Sequence, residues 1–196
     1  MPSRARILEA ARSEFALHGQ SARLQDIAER AGLTHPTLLY HFKSKERLYA
    51  AVIEQAMEDW ALMTSEVVAV APVGFDRVAA LVRAGMEFFA THADFVVIWR
   101  REAIEGGGRL EDAMAEHMRP FLERAIAFLE REMAAGRLRE HDPGELMQIV
   151  YGAVSTYFSD AGFRARLFGG DPTSPAERER FGAALTAMLR DALAPR

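Results

Sequence analysis

Residues 23–49 read RLQDIAERAGLTHPTLLYHFKSKERLY, and this stretch decides the fold. Ile27, Ala28 and Ala31 recur at the spacing that gives a short helix one apolar face. Gly32 follows immediately, at the position where a helix commonly ends in a residue that tolerates the left-handed conformation. The residues after this glycine predict a second short helix and then a long one. The stretch therefore predicts a helix-turn-helix unit.

The second helix of this unit has a predicted cap at its start. Thr34 stands where its hydroxyl accepts the backbone N–H of Thr37, and Pro36 falls in the first turn, where the missing N–H of proline is harmless. Ser44 is placed to cap the long helix that follows. Spacings of three and four predict an inward apolar face formed by Leu38, Leu39 and Phe42.

The outward face of the second helix carries hydroxyls, imidazoles and an aromatic ring. Residues 34–45 contain no Asp or Glu. The carboxylates of these residue types would be repelled by DNA phosphates. Lys43 and Lys45 follow as point charges for the DNA backbone. This pattern favours a helix that enters the DNA major groove, with base contacts centred on His35, Thr37, Tyr40 and His41. Two packed helices with a merely basic surface remain the alternative.

This segment resembles the DNA-binding domain of the TetR family of transcriptional regulators. The resemblance rests on the ordered set Ala-Gly-Leu-Thr, Thr-Leu, Tyr-His-Phe and Ser-Lys-Glu, and it extends over residues 4–50. Leu39 stands where the family commonly has a tyrosine, and Arg23 stands where many members have a threonine. The resemblance therefore implies that Tyr40 takes the tyrosine's phosphate contact and that Arg23 makes a charged one. The predicted DNA-binding residues are Arg23, Gln25, Thr34, His35, Pro36, Thr37, Tyr40, His41, Lys43 and Lys45.

Charge is unevenly divided along the chain. Residues 1–50 hold eight Lys/Arg and five Asp/Glu, a formal charge of +3. The remaining residues hold sixteen and twenty-three, a formal charge of −7. A basic N-terminal segment followed by an acidic remainder fits attraction of phosphate by that segment alone better than by an electrostatic field of the whole protein.

Composition and motifs disfavour several other classes of protein. The chain has no cysteine, which excludes a disulfide framework and a cysteine-ligated zinc site. It shows no signal-peptide core and no apolar run near the ~18 residues of a membrane helix, so we expect a cytoplasmic protein. The six histidines are scattered, and G-x-S-x-G, P-loop and H-E-x-x-H patterns are absent. We therefore expect no enzyme activity, no cofactor and no metal.

The rest of the chain has helical patterning and no strand signal, which predicts an all-α fold. An N-terminal three-helix helix-turn-helix DNA-binding domain, residues 1–46, is predicted to be joined by a long helix to a helical effector-binding and dimerisation domain, residues 47–196. Residues 163–172 are predicted to be loop-rich. Helices are predicted over residues 45–70, 75–92, 93–105 and 110–135, and after caps at Asp142 and Ser174.

The helices predicted at 143–162 and 175–193 have apolar stripes wider than one neighbour needs. Small residues on them would let other helices approach closely: Gly152, Ala153, Gly182, Ala183 and Ala187. We expect these helices to pair with their copies in a second subunit, as a four-helix bundle around a two-fold axis. The resemblance implies the same homodimer, which would favour a pseudo-palindromic operator. Closure of the monomer core is the alternative.

The middle helices are rich in aromatic and methionine side chains, which suit a small, mainly apolar ligand. Such stripes also form plain core, which remains the alternative. The predicted effector-binding residues are Phe88, Phe95, Trp99, Met114, His117, Met118, Phe121 and Tyr151. The resemblance implies a regulator, expected to be a repressor, that releases DNA when the effector binds. A helical protein-binding adaptor and a small all-helical enzyme are the alternative functions.

Overall fold

The computed structural model describes residues 3–70, 73–105 and 109–195, with the side chains at 20, 102, 105, 109–114 and 117 outside that description. Every regular element in these ranges is helical, which confirms the predicted all-α class. A short 3₁₀ turn follows the first helix. The helices are α1 (Ser3–His18), α2 (Leu24–Arg30), α3 (His35–His41), α4 (Lys45–Val70), α5 (Phe75–Thr91), α6 (Ala93–Glu105), α7 (Arg109–Ala134), α8 (Pro143–Ser159), α9 (Ala161–Phe168) and α10 (Pro175–Leu193).

The chain divides into two compact units that are not contiguous in sequence. The first unit holds the described residues up to Asp59 together with those from Asp94 to Arg119. It therefore contains α1 to α3, the start of α4, most of α6 and the start of α7. The second unit holds the described residues from Trp60 to Ala93 and from Pro120 onward.

A buried apolar core joins α1, α2 and α3 in the first unit. Ile7, Ala11 and Phe15 recur every four residues on α1 and are all buried, as one face of a helix requires. The ring of Phe15 meets the ring of Tyr49 edge-on, with 5.1 Å between ring centres. Leu38 of α3 is fully buried. The core therefore holds α3 by one face and leaves its opposite face outside.

A buried carboxylate ties α1 to α2. The Glu14 side chain is only 7% exposed, and its Oε1 accepts a hydrogen bond from Arg30 Nε at 2.7 Å. Its other oxygen lies 3.6 Å from Nε2 of His18, one turn along α1. These partners satisfy a charge that would be costly to bury alone.

Arg101 of α6 closes the C-terminal end of α1. Its Nη2 donates to the backbone oxygens of Ala16 and Leu17, both at 3.3 Å. These are among the last carbonyls of α1, which lack partners inside the helix. The Arg101 side chain also fills the space beside Gly19, whose φ of +54° is left-handed. A Cβ at Gly19 would lie 2.5 Å from Cδ of Arg101.

Gly19→Ala is therefore expected to destabilise the chain by about 1 kcal/mol through the left-handed backbone alone, and by more because Arg101 must move. Urea unfolding of the two proteins measures this difference. Gly136→Ala is the matched control, since Gly136 has a φ of +67° and no atom within 4 Å of its Cβ position. In an Arg101→Ala background, the cost of Gly19→Ala should fall to that of the control. Equal costs for both glycines in the wild-type background would contradict the steric argument.

A second buried carboxylate joins the turn before α5 to the end of α7. The Glu132 side chain is 6% exposed, and one of its oxygens accepts the backbone N–H of Gly74 at 2.7 Å. Arg137 donates to both carboxylate oxygens, at 2.7 and 2.8 Å. These Arg137 bonds are the main reason that the pKa of Glu132 lies below its ordinary value.

Helix α5 lies at the centre of the second unit, against both α8 and α10. Its buried residues share a core with apolar side chains of α7, α8 and α10. On the α8–α10 side, the ring of Tyr157 stacks on the ring of Phe181 with 4.3 Å between centres. The buried Tyr157 hydroxyl donates to the backbone oxygen of Pro172 at 2.8 Å. This bond anchors the segment between α9 and α10.

The predicted helices over 45–70 and 93–105 are confirmed as α4 and α6, and the caps at Asp142 and Ser174 begin α8 and α10 as predicted. The loop-rich prediction for 163–172 is wrong in its first part, because α9 continues to Phe168. Helix α8 ends at Ser159, so the predicted helix at 143–162 is too long. Helix α9 has no capping side chain and no buried residue, so neither of these local signals of a helix marks it.

Candidate nucleic-acid interface

The turn and the cap that set the start of α3 are built as predicted. Gly32 has a left-handed φ of +65° between α2 and α3. The Thr34 hydroxyl oxygen accepts the backbone N–H of Thr37 at 3.3 Å, and the two threonine hydroxyls are 2.8 Å apart. Ser44 accepts the backbone N–H of Arg47 at 3.3 Å at the start of α4. Both predicted caps are therefore present, and they fix where α3 begins and where it passes into α4.

The face of α3 that was predicted to read bases lies at the surface. His35, Pro36 and His41 are exposed and Thr37 is half-buried. Tyr40 is 76% exposed, and its ring meets the ring of His41 edge-on at 5.5 Å. This face offers hydroxyl, imidazole and phenol groups to base edges.

The prediction that Leu39 faces inward is wrong. Leu38 is fully buried and Phe42 nearly so, whereas Leu39 is 37% exposed. Residues four apart lie on the same side of a helix, and the next residue along is turned by about 100°. In a helix as short as α3, one buried side chain per turn is enough to hold the helix against the core.

The two lysines after α3 occupy different surroundings. Lys43 is exposed, with its Nζ 3.4 Å from the backbone oxygen of Tyr40 and 5.7 Å from the centre of the Tyr40 ring. Lys45 is half-buried, and its Nζ lies 3.4 Å from the backbone oxygen of Ala22. Lys45 thus connects the start of α4 with the short segment that leads into α2.

Arg23 stands at the start of α2 and is already engaged. Its Nε and Nη2 donate to the two carboxylate oxygens of Asp26, at 2.9 and 2.8 Å. This pair raises the pKa of Arg23 and lowers the pKa of Asp26. The pair was not predicted, although a spacing of three residues on a helix signals it. Gln25 is likewise in contact with an acid, with Nε2 3.4 Å from Oε1 of Glu29.

The predicted DNA-binding residues lie within a segment that matches a known protein family, and a later segment of the chain matches a second one. The family described as "Bacterial regulatory proteins, tetR family" matches residues 7–52, which include α2 and α3. The family described as "Tetracyclin repressor-like, C-terminal domain" matches residues 75–189, more than half of the chain. The chain belongs to the TetR family.

Relatives of this TetR-family chain include named regulators. It is 30% identical over 179 residues to the HTH-type transcriptional repressor AcnR of Corynebacterium diphtheriae, covering 89% of this chain and 86% of AcnR. Two solved structures share the fold. One is a putative fatty acid metabolism regulator of Clostridium perfringens, with a TM-score of 0.80, 19% identity and coverage of 97% and 100%. The other is AibR in complex with isovaleryl coenzyme A and operator DNA, with a TM-score of 0.75, 18% identity and coverage of 95% and 97%.

The predicted effector-binding residues of the TetR-family chain are divided between the two units. The first unit holds Phe95, Trp99 and Met118, together with Met114 and His117, whose side chains lie outside the described residues. The second unit holds Phe88, Phe121 and Tyr151. The ring of Phe88 stacks on the ring of His92 at 4.3 Å and meets Trp60 edge-on at 5.2 Å, while Phe95 meets Trp99 at 5.9 Å.

An open cleft of about 430 Å³ in the second unit has a different lining. It lies beside Gly74 and the start of α5, and its charged walls are Asp76, Arg137 and Arg190. None of the predicted effector-binding residues lines this cleft. The cleft therefore gives no support to the predicted pocket.

The small residues of α8 and α10 serve two purposes. Gly152 has no atom within 4 Å of its Cβ position, and Ala183 and Ala187 are exposed. On the same two helices, Ile149 is 63% exposed and Met188 is 71% exposed. Gly182 differs, because it is buried against Met86 of α5. Gly182 therefore lets two helices of one chain approach. Ala153 is half-buried against the core of the second unit, whereas Gly152, Ala183 and Ala187 leave open surface.

Two kinds of feature are absent from the described ranges. No helix there is long and apolar enough to cross a membrane. No group of three or more His, Asp or Glu side chains there has the arrangement of a metal site.

Proposed function

We propose that this TetR-family chain is a ligand-responsive repressor that binds a pseudo-palindromic operator as a homodimer. A small, mainly apolar effector would release it from DNA. Residues 1–46 would carry the DNA contacts, and residues 47–196 would carry the effector and dimer contacts. Such a regulator acts where the DNA is, which for a bacterial member of this family is the cytoplasm.

The exposed face of α3 is the main observation that supports this proposal. A buried face fixes the helix through Leu38, and the opposite face presents polar and aromatic groups with no carboxylate among residues 34–45. A helix held in this way enters the major groove with its N-terminal residues at the base edges. Base readout is assigned to His35, Thr37, Tyr40 and His41, with Pro36 placed to touch a thymine methyl.

Selection of bound sequences from a random pool of duplex DNA tests the proposal directly. The expected result is an enriched pseudo-palindrome whose half-sites are about one helical turn apart or a related distance. An adaptor or an enzyme would enrich no sequence and would ignore duplex DNA even at low salt. A complete lack of DNA binding by effector-free protein would end the proposal.

Lys45→Ala is expected to weaken binding to every DNA sequence by a similar factor, because a lysine on phosphate carries no base preference. The slope of log K against log salt should become shallower by about 0.9 for each phosphate that the lysine no longer neutralises. Fluorescence anisotropy at several salt concentrations, with operator and with unrelated DNA, measures both quantities. A weakening confined to the operator would assign Lys45 to base reading instead.

The homodimer is proposed through α8 and α10. The support is the exposed apolar side chains of Ile149 and Met188 together with the exposed Ala183 and Ala187, which a second copy would cover. Two copies of the same patch form a two-fold interface. Sedimentation at micromolar concentration should give twice the mass of the chain, and a monomer there would contradict the proposal.

The effector is proposed to be mainly apolar, with Phe95 and Trp99 of the first unit among its contacts. AibR, which has this fold, binds isovaleryl coenzyme A, and the short acyl chain is the apolar part of that otherwise polar, phosphorylated ligand. Release from DNA requires the effector to favour the conformation that does not fit the operator. Trp99→Ala should then raise the effector concentration needed for release, whereas DNA affinity without effector should stay the same.

A further inference from the structure

Arg4 lies in the first turn of α1 and points along that helix's buried side. It precedes Ile7, Ala11 and Phe15 by three, seven and eleven residues, so all four share one face of the helix. The three apolar residues are buried, whereas Arg4 is exposed. Helix α1 therefore directs this arginine toward α2 and α3 but places it beyond the end of the core.

The Arg4 side chain lies at the C-terminal end of α3. The Arg4 guanidinium carbon is 5.4 Å from the centre of the Phe42 ring, and Phe42 is the residue that terminates α3. The next residue in the chain is the exposed Lys43. Two cations from distant parts of the sequence are therefore placed at the same end of the helix that faces DNA.

The charge of Arg4 is not taken up by a carboxylate in the described part of the chain. Two other arginines of the first unit do face a carboxylate: Arg12 lies 3.5 Å from Asp94, and Arg30 is bound to Glu14. Arg4 instead lies over the Phe42 ring, and a cation–π contact of this kind uses none of the guanidinium N–H groups for a hydrogen bond to a carboxylate. The guanidinium fork matches the two oxygens of a phosphate.

We propose that Arg4 binds a DNA phosphate beside the C-terminal end of α3, which extends the DNA contact surface to the start of α1. The contact with the Phe42 ring positions the guanidinium, and the fork donates two hydrogen bonds to one phosphate. This contact fixes the position of α3 in the groove and carries no base preference. The inference rests on the proposed DNA binding.

The test compares Arg4→Gln, Arg4→Lys and a matched control, Arg131→Gln, in the full chain with selected operator DNA. Arg131 has the same charge and is exposed on α7, in the second unit. Arg4→Gln should make the salt slope shallower by about 0.9 per protomer, or about 1.8 for a dimer in which both arginines are replaced. Arg4→Lys keeps the charge and should keep the slope.

Three outcomes would overturn the assignment: the slope stays unchanged in Arg4→Gln, it falls equally in Arg131→Gln, or it falls equally in Arg4→Lys. If the slope is unchanged while the melting temperature falls and binding weakens, the first of these outcomes makes Arg4 a structural residue. Wild-type protein that binds no DNA at low salt would instead refute the proposed function, so the two failures are distinguishable.

Discussion

His35→Ala is expected to weaken operator binding by about 1–3 kcal/mol for each half-site and to remove the preference at one base pair. His35 is exposed at the first position of α3, immediately after the Thr34 cap. Residues at this end of a recognition helix reach base edges first. Because a dimer reads two half-sites, the losses of binding free energy at the two half-sites add. The resulting change in Kd is larger than any other expected from a single substitution in this chain.

Titration of an operator and of its single-base variants measures this effect. The wild type should discriminate strongly at one position of each half-site, and His35→Ala should bind all four bases there almost equally. His141→Ala removes an exposed histidine outside α3 and serves as the control. A uniform weakening across all variants, like that expected for Lys45→Ala, would show that His35 contacts the backbone and not a base.

Glu132→Ala is expected to lower the free energy of unfolding by about 2 kcal/mol, because the Gly74 N–H and the Arg137 guanidinium lose a shared, buried acceptor. The effect is smaller than for a fully buried ion pair, since the Arg137 side chain is 43% exposed and water replaces part of the interaction. Urea unfolding at neutral pH measures it. Glu130→Ala, an exposed neighbour on the same helix, should leave the stability almost unchanged.

The same carboxylate gives the stability a pH dependence. The pKa of Glu132 in the folded chain lies below the ordinary value of 4.5, so the folded state holds this proton less tightly than the unfolded state. Its stabilisation is complete above pH 4.5 and is lost as pH falls through the lower folded value. Glu132→Gln cannot titrate, so its stability should fall less than that of the wild type on acidification. Parallel decreases for both proteins would contradict the assignment.

The helix starts were predictable because their cause is local. Thr34, Asp142 and Ser174 each accept the backbone N–H three residues later, and both partners stand within one turn of sequence. Helix α9 was missed because it has no such cap, and because no buried side gives it an apolar period. Sequence patterns indicate a helix through its capping residues and its buried apolar face, so a helix that has neither cannot be recognised from them.

The division of α3 into a buried and an exposed face was predictable to the same local extent. Helical periodicity separated the outward His35, Tyr40 and His41 from the inward Leu38, and it failed only at Leu39, which borders both faces. The contacts that could not be predicted are those between distant segments. Neither Arg101 on the carbonyls of α1 nor Arg4 over Phe42 has any sequence signature, because 85 and 38 residues of chain separate the partners.

The position of Arg101 bears on how this protein can be dissected. A fragment excised after Asp59 would keep α1, α2 and α3 but would omit the guanidinium that satisfies the last carbonyls of α1. Truncation within α4 thus removes a stabilising part of the first unit along with the second. An isolated N-terminal peptide is for this reason a poor substitute for the intact chain in operator titrations. Weak or absent binding by such a peptide would reflect the loss of stability caused by truncation and not the DNA-binding properties of α3.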